Sequence, residues 1–223
     1  MSPIRVAVFV ALAAFMIPHH AAGGDVYFMT VYGSQRPVIN RPCLSHTWAT
    51  FIRISGDDTD PQKNQVQSFT ISWLPQTLVI RSHDLRSEPG VNLNLQDTIA
   101  WCEKNRVEIE QFGPYQITPE LWASACARRE QLERGDLEYR SADVINLPFF
   151  RRACNCIYAV LDHDCREPAV RSVTLGFGHL ASAQVARKLS PHIVGKGQTH
   201  PWVSELIGVC NYGSSGLPKL IKP

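Results

Sequence analysis

The chain has 223 residues, of which 44% are hydrophobic and 19% are charged, and its formal net charge is +2. This composition is typical of an ordinary globular protein with a hydrophobic core. The small net charge and the lack of a basic cluster argue against a nucleic-acid-binding protein. The paired arginines at 128–129 and 151–152 are more typical of solvated helix or loop positions than of a phosphate site.

The N-terminal residues have the three parts of a secretory signal peptide. Arg5 supplies the positive charge, residues 6–17 form an apolar segment, and Ala21-Ala22-Gly23-Gly24 offers small residues for cleavage. The apolar segment rises only about 18 Å as a helix, whereas the hydrocarbon core of a bilayer is roughly 30 Å thick. The sequence therefore predicts a signal peptide at residues 1–23, a secreted or periplasmic protein, and no stable membrane span after cleavage.

The mature part, residues 24–223, has a length that suits a single domain, and it contains all seven cysteines. They are Cys43, Cys102, Cys126, Cys154, Cys156, Cys165 and Cys210. An oxidising compartment permits disulfides, but an odd number leaves at least one thiol free unless it pairs with another chain. This unpaired cysteine is explained equally well as a functional thiol or as a buried, unreactive residue. No cysteine spacing matches a zinc site, and the sequence predicts neither a metal nor a cofactor.

The first half of the mature chain is predicted to form strands. Residues 46–55 combine β-branched and aromatic residues in partial alternation, and residues 26–32, 66–73 and 77–82 follow the same pattern less strongly. Short connections between successive strands favour an antiparallel meander.

Helices are predicted in the second half. Residues 95–104 have helical apolar spacing, and Gly113-Pro114 is expected to break the chain. Thr118-Pro119-Glu120 is a helix start, because threonine caps, proline suits the first turn and glutamate complements the helix dipole. That helix is expected to end at Gly135, and further helices are predicted at residues 156–161, 179–189 and 201–207. The fold class is therefore α+β, an antiparallel meander packed against helices.

Two short motifs carry residues suited to thiol chemistry. His46 heads the strongest strand, and Asn155-Cys156 opens an apolar helical run. Asparagine is a good N-cap, so Cys156 is expected in the first turn, where backbone N–H groups and the helix dipole lower a thiol pKa. A histidine within hydrogen-bond reach would act as the general base.

This arrangement resembles the circularly permuted papain-like thiol hydrolases, relatives of NlpC-type cell-wall peptidases and lecithin:retinol acyltransferases in which the histidine precedes the cysteine. The segment 139–143 before Asn155-Cys156 adds to the resemblance. The resemblance implies a papain-like fold in which Cys156 is the nucleophile and His46 the base. The third polar residue, which orients the base and is usually histidine, asparagine or an acid in that family, would be Ser72, with Thr70 as the next candidate. It also implies an amide or ester substrate, such as a cell-wall peptide or a lipid acyl group. The chain further resembles an uncharacterised family of exported bacterial proteins.

The alternative is a non-catalytic, disulfide-stabilised exported domain that binds a partner or has a structural role. In that case His46 is a strand-end histidine, and Cys156 is half of a disulfide or buried, with Cys154 a rival for either role. The two hypotheses differ in one observable, because an enzyme needs Cys156 reduced and accessible with His46 near it.

Overall fold

The computed structural model describes residues 24–36, 44–56, 65–81, 84–142, 153–162, 176–209 and 214–215. The predicted signal peptide and the cysteines at 43, 165 and 210 lie outside these ranges. The described residues form mixed helices and largely antiparallel sheets, so the α+β prediction is confirmed.

Nine strands and five α-helices are present in the described ranges. The strands are β1 (Val26–Gln35), β2 (His46–Ser55), β3 (Gln65–Ile71), β4 (Trp73–Pro75), β5 (Glu88–Asn92), β6 (Glu108–Ile117), β7 (Glu138–Tyr139), β8 (Ala153–Cys154) and β9 (Ser214–Ser215). The helices are α1 (Leu95–Asn105), α2 (Pro119–Glu133), α3 (Cys156–Leu161), α4 (His179–Lys188) and α5 (Trp202–Leu206). None of these helices has the length and apolar character needed to cross a bilayer.

The main sheet has the strand order β3-β2-β1-β6-β9. Strands β1, β2 and β3 form the predicted antiparallel meander, with Ser34 opposite His46 and Ala49 opposite Ile71. Strand β6 pairs antiparallel with β1 on the other side, and β9 adds a short parallel edge. The meander therefore occupies one half of the sheet and places His46 at the end of its central strand.

A second, smaller sheet has the order β4-β5-β7-β8. Strand β4 follows β3 directly, with Ser72 between them, and pairs with β5 so that Trp73 lies opposite Asn92. Strand β8 pairs in parallel with β7 and leads into α3. This sheet therefore brings the segment that carries Cys156 next to the end of the meander.

The two faces of the main sheet pack against different helices, because side chains alternate along each strand. Ala49 and Phe51 belong to the core that also contains buried residues of α2, α3 and α4. Trp48 lies on the opposite face, in a separate cluster with Leu95 and Trp101 of α1. A one-residue step along β2 thus moves a side chain from the α3 side of the sheet to the α1 side.

Two sequence predictions are wrong, one of a strand and one of a break in the chain. The segment predicted as a strand at 77–82 begins as a turn, in which the Leu78 amide donates to the Pro75 carbonyl and Leu78 has a φ of 57°. Gly113-Pro114 does not break the chain but lies inside β6. A register shift opposite Met29 and Val31 accommodates the proline, which has no N–H to donate to the ladder.

The predicted helices are confirmed within one or two residues at each end. Helix α1 is capped by Asn94, whose side chain accepts a hydrogen bond from the Asp97 amide. Helix α2 starts at the predicted Thr118-Pro119, although the threonine side chain makes no capping hydrogen bond to the helix.

Candidate functional site

His46 lies at the start of β2 and is only 1% exposed. Its ring stacks on Trp48, with centroids 5.4 Å apart, and meets the edge of Trp101 at 5.7 Å. The imidazole Nε2 is 2.9 Å from the Ser72 hydroxyl oxygen. The structure therefore brings together two of the three predicted site residues, the histidine and its orienting serine.

Two residues that the sequence did not single out hold Ser72 in place. The Thr98 hydroxyl of α1 donates to the Asn94 carbonyl at 2.7 Å, and its oxygen lies 2.8 Å from the Ser72 hydroxyl oxygen. The Ser72 amide donates to the Asn92 side-chain oxygen at 2.7 Å. These contacts come from α1 and β5, so the Ser72 hydroxyl is fixed by tertiary packing.

Thr70, the second candidate for the orienting role, does not reach His46. Its hydroxyl is 3.0 Å from the hydroxyl of Thr50 on the neighbouring strand, and its carbonyl accepts from the Asn92 side-chain amide. Of the two predicted candidates, the described contacts assign the orienting position to Ser72.

The imidazole of His46 is neutral in this environment. Burial lowers its pKa from 6.5 to about 3. Its second nitrogen, Nδ1, has no hydrogen-bond partner in the described part of the chain. A buried polar atom without a partner costs on the order of 1–3 kcal/mol, so His46 is an unfavourable residue for a purely apolar core position.

Cys156 is the first residue of α3, as predicted. The Asn155 side chain caps the helix by accepting hydrogen bonds from the amides of Ile157 at 3.0 Å and Tyr158 at 3.1 Å. The prediction of an asparagine N-cap before a first-turn cysteine is therefore confirmed.

The environment of the Cys156 thiol opposes the expected lowering of its pKa. The thiol is free and its residue is 8% exposed, and burial raises its pKa to about 11. Hydrogen bonds from the backbone amides of Thr47, Ile157 and Cys156 itself lower the pKa, but by less than burial raises it. The thiol is therefore protonated at neutral pH. The short α3 supplies too little stabilisation to offset the desolvation.

The structure does not join Cys156 and His46 as a hydrogen-bonded pair. The Thr47 amide contacts the Cys156 sulfur, so the thiol lies beside the residue that follows His46. The Thr47 hydroxyl points toward α4, where it is 2.8 Å from the Ser182 hydroxyl, while the His46 ring points toward α1. Nδ1 of His46 makes no hydrogen bond to any described residue and Nε2 bonds Ser72, so neither ring nitrogen of the predicted base is hydrogen-bonded to the predicted nucleophile.

The disulfide expectation concerns four cysteines among the described residues. Cys102, Cys126 and Cys156 are free thiols. Cys102 lies on α1, where burial raises its pKa to about 12 and the nearby Ser34 hydroxyl lowers it to a smaller extent. Cys156 is therefore not half of a disulfide in this structure. The alternative in which Cys156 is buried is confirmed.

A cleft that sequence reasoning missed lies between α1, β6 and the start of α4. Its volume is about 690 Å³. It is lined by Cys102, Glu103, Val107, Glu108, Ile109, Glu110 and His179. At one side His179 Nδ1 is 3.3 Å from the Glu110 carboxylate, and Nε2 is 3.3 Å from the Glu108 carbonyl. His179 is the first residue of α4, as the sequence favoured.

The lining combines residues from one short stretch of sequence, 102–110, with His179 from α4, so the cleft is complete only in the folded chain. Within the described ranges its lining includes neither His46 nor Cys156. The cleft and the histidine–serine pair are therefore separate features. Comparison with protein-family models, with curated proteins and with solved structures finds no match to this chain, so the papain-like family stays a resemblance.

Proposed function

We propose that this chain is an exported domain that works by binding, without catalysis by Cys156 and His46. The observation that carries this proposal is that the buried His46 Nδ1 makes no hydrogen bond to any described residue, while the buried Cys156 thiol accepts hydrogen bonds from backbone amides. The export part of the proposal rests on the N-terminal signal pattern.

The pKa values support the same conclusion. Burial raises the pKa of the Cys156 thiol and lowers the pKa of the His46 imidazole, so both groups are neutral at pH 7. Burial thus disfavours both the thiolate and the imidazolium that proton transfer between them would form. The described arrangement is therefore a resting pair of neutral groups and not an activated dyad.

The ligand site in this proposal is the cleft beside α1. Three carboxylates line it, from Glu103, Glu108 and Glu110, together with the apolar side chains of Val107 and Ile109. This combination favours a ligand with a cationic group and an apolar part. Such a ligand would bind without contact with the buried thiol of Cys156.

The second candidate function is the thiol hydrolase or acyl transferase implied by the papain-like resemblance. Two observations favour it: the His46–Ser72 contact forms as expected, and the free Cys156 thiol opens a capped helix with the Thr47 amide at its sulfur. In this candidate the substrate is an amide or ester, either a cell-wall peptide or a lipid acyl group. It needs a movement that brings His46 Nδ1 to the sulfur.

The two candidate functions are distinguished by iodoacetamide labelling of the unreduced mature protein across pH, with peptide mapping by mass spectrometry. Cys126 is free and partly exposed, so it serves as an internal reference. The binding proposal predicts that Cys156 resists labelling until the protein is denatured. Fast labelling of Cys156 at neutral pH, lost in a His46→Ala variant, would contradict that proposal and support the enzyme.

A further inference from the structure

We infer that His179 competes with the ligand in the cleft beside α1. Its charged ring occupies the Glu110 carboxylate until the cationic group of a ligand displaces it, and the ring then releases a proton. This role, which rests on the proposed binding function of the cleft, makes binding weaker in acid. It involves neither Cys156 nor His46.

Both ring nitrogens of His179 face oxygen atoms that accept hydrogen bonds. Nδ1 is 3.3 Å from a carboxylate oxygen of Glu110, and Nε2 is 3.3 Å from the main-chain carbonyl oxygen of Glu108. A neutral imidazole has one N–H and can satisfy only one of these oxygens, whereas the imidazolium has two N–H groups and satisfies both. The geometry therefore matches the charged ring, with a charge-assisted hydrogen bond to the ionised carboxylate of Glu110.

The main chain fixes the position of His179, whereas its ring reaches the cleft. The His179 amide donates to the Gln35 side-chain oxygen at 3.2 Å. The preceding Gly178 has a φ of 62°, and a Cβ on it would lie 2.6 Å from the same Gln35 oxygen. The side chains of His179 and Glu110 are 20% and 32% exposed. Rotation of the side chain can therefore move the ring away from Glu110 while α4 stays in place.

The charges around the ring make its contact with Glu110 replaceable. His179 is the first residue of α4, where the helix dipole disfavours a positive charge. The charged residues that line the cleft with it are Glu103, Glu108 and Glu110, and the described lining contains no lysine or arginine. The charged ring therefore depends on these carboxylates, and above all on Glu110, for its counter-charge.

A ligand with an ammonium group competes for the same carboxylate, while its apolar part packs on Val107 and Ile109. Its N–H groups replace the Nδ1–H of His179 at Glu110, and its charge then disfavours the charged ring beside it. The ring therefore gives its proton to the solvent. Because binding releases a proton, the affinity should rise with pH by up to about tenfold per unit where histidine titrates. A site of carboxylates alone would keep a nearly constant affinity over that range, because carboxylates are ionised there.

NMR titration of the labelled mature protein with hexylamine at pH 5.5 and 7.5 tests this, with hexan-1-ol as the neutral probe. Hexylamine should shift the amide signals of residues 107–110, with a Kd about tenfold lower at pH 7.5, and hexan-1-ol should bind more weakly. At pH 5.5 the ring signals of His179 should move toward the neutral form as hexylamine binds. The Kd of His179→Gln should change by less than about twofold between the two pH values. The matched variant His192→Gln, at an exposed histidine outside the cleft lining, should behave as the wild type does.

The outcomes separate this inference from the proposed function. A wild-type Kd that is equal at both pH values, or a His179→Gln variant that keeps the wild-type pH dependence, would overturn the inference and leave the cleft as a binding site. If the amides of residues 107–110 do not respond to hexylamine up to about 50 mM, the proposed function and the inference fail together. The ligand-free protein supplies a second readout, because the His179 ring should hold less charge at pH 5.5 in Glu110→Gln than in the wild type. Identical ring signals in the two proteins would overturn the pairing, whether or not hexylamine binds.

Discussion

The burial of His46 makes the fold sensitive to acid. The pKa of this histidine falls from 6.5 to about 3 in the folded protein because burial disfavours the charged ring. At pH values between about 3 and 6.5, His46 therefore carries a proton in the unfolded chain but not in the folded chain. The stability contributed by neutral His46 is fully present above pH 6.5 and is lost as the pH falls toward 3.

The magnitude follows from the size of the shift. A shift of about 3.5 units corresponds to about 5 kcal/mol over the whole range, and about 3 kcal/mol is lost by pH 4.5. A domain of this size has a free energy of unfolding of about 5–15 kcal/mol. The loss at pH 4.5 is thus a large fraction of the total, and it is measurable by urea unfolding.

The assay is urea unfolding between pH 7.5 and 4.5, for the wild type and for His46→Gln, with His192→Gln as the exposed-histidine control. Carboxylates with lowered pKa values, such as Asp25 and Asp84, lose their stabilisation only at lower pH and cancel in the comparison. His46→Gln is expected to be less stable at pH 7.5 but to have a flatter pH dependence. If its pH dependence matches that of the wild type, the account of His46 as a buried neutral base is refuted.

Three further predictions concern single contacts, each checked by urea unfolding at pH 7.5. Thr98→Val removes the hydroxyl that bonds the orienting serine and should cost about 1–2 kcal/mol; no loss would mean that this contact does not hold the serine. Asn155→Ala should cost about 1 kcal/mol, whereas Thr118→Ala should cost clearly less, because the Thr118 side chain makes no capping hydrogen bond to a helix amide; equal losses would contradict the capping role of Asn155. Gly33→Ala places a Cβ 2.5 Å from the Ser182 hydroxyl and should cost about 1–3 kcal/mol, and an unchanged midpoint would show that the sheet and α4 can separate there.

The sequence predicts the meander and the helices because their signals are local. Strand β2 alternates apolar and polar residues and has β-branched side chains, so both its ends were predicted correctly. The sequence does not predict strand β6, because this strand has Glu108 and Glu110 at its exposed end and Pro114 in its middle. Its position beside β1, with a register shift that accommodates the proline, is a property of the assembled sheet.

The candidate site is predictable only in part, because some of its features depend on neighbouring residues and others on tertiary contacts. The Asn155 cap and the first-turn position of Cys156 depend on neighbouring residues and were foreseen. Burial of Cys156 was one of the open alternatives, and it raises the pKa that the helix position was expected to lower. The support of Ser72 by Thr98 and Asn92 comes from helices and strands that meet only in the folded chain.

The ionisation of Cys156 tests the central claim most directly. The measurement is a pH titration of thiolate ultraviolet absorbance for the mature protein, with the Cys156→Ser titration subtracted. Because burial raises the pKa of this thiol to about 11, the difference signal should be absent at neutral pH and appear only in strong alkali. A difference signal already present near pH 7, and abolished by His46→Ala, would contradict the account and identify Cys156 and His46 as an activated catalytic pair.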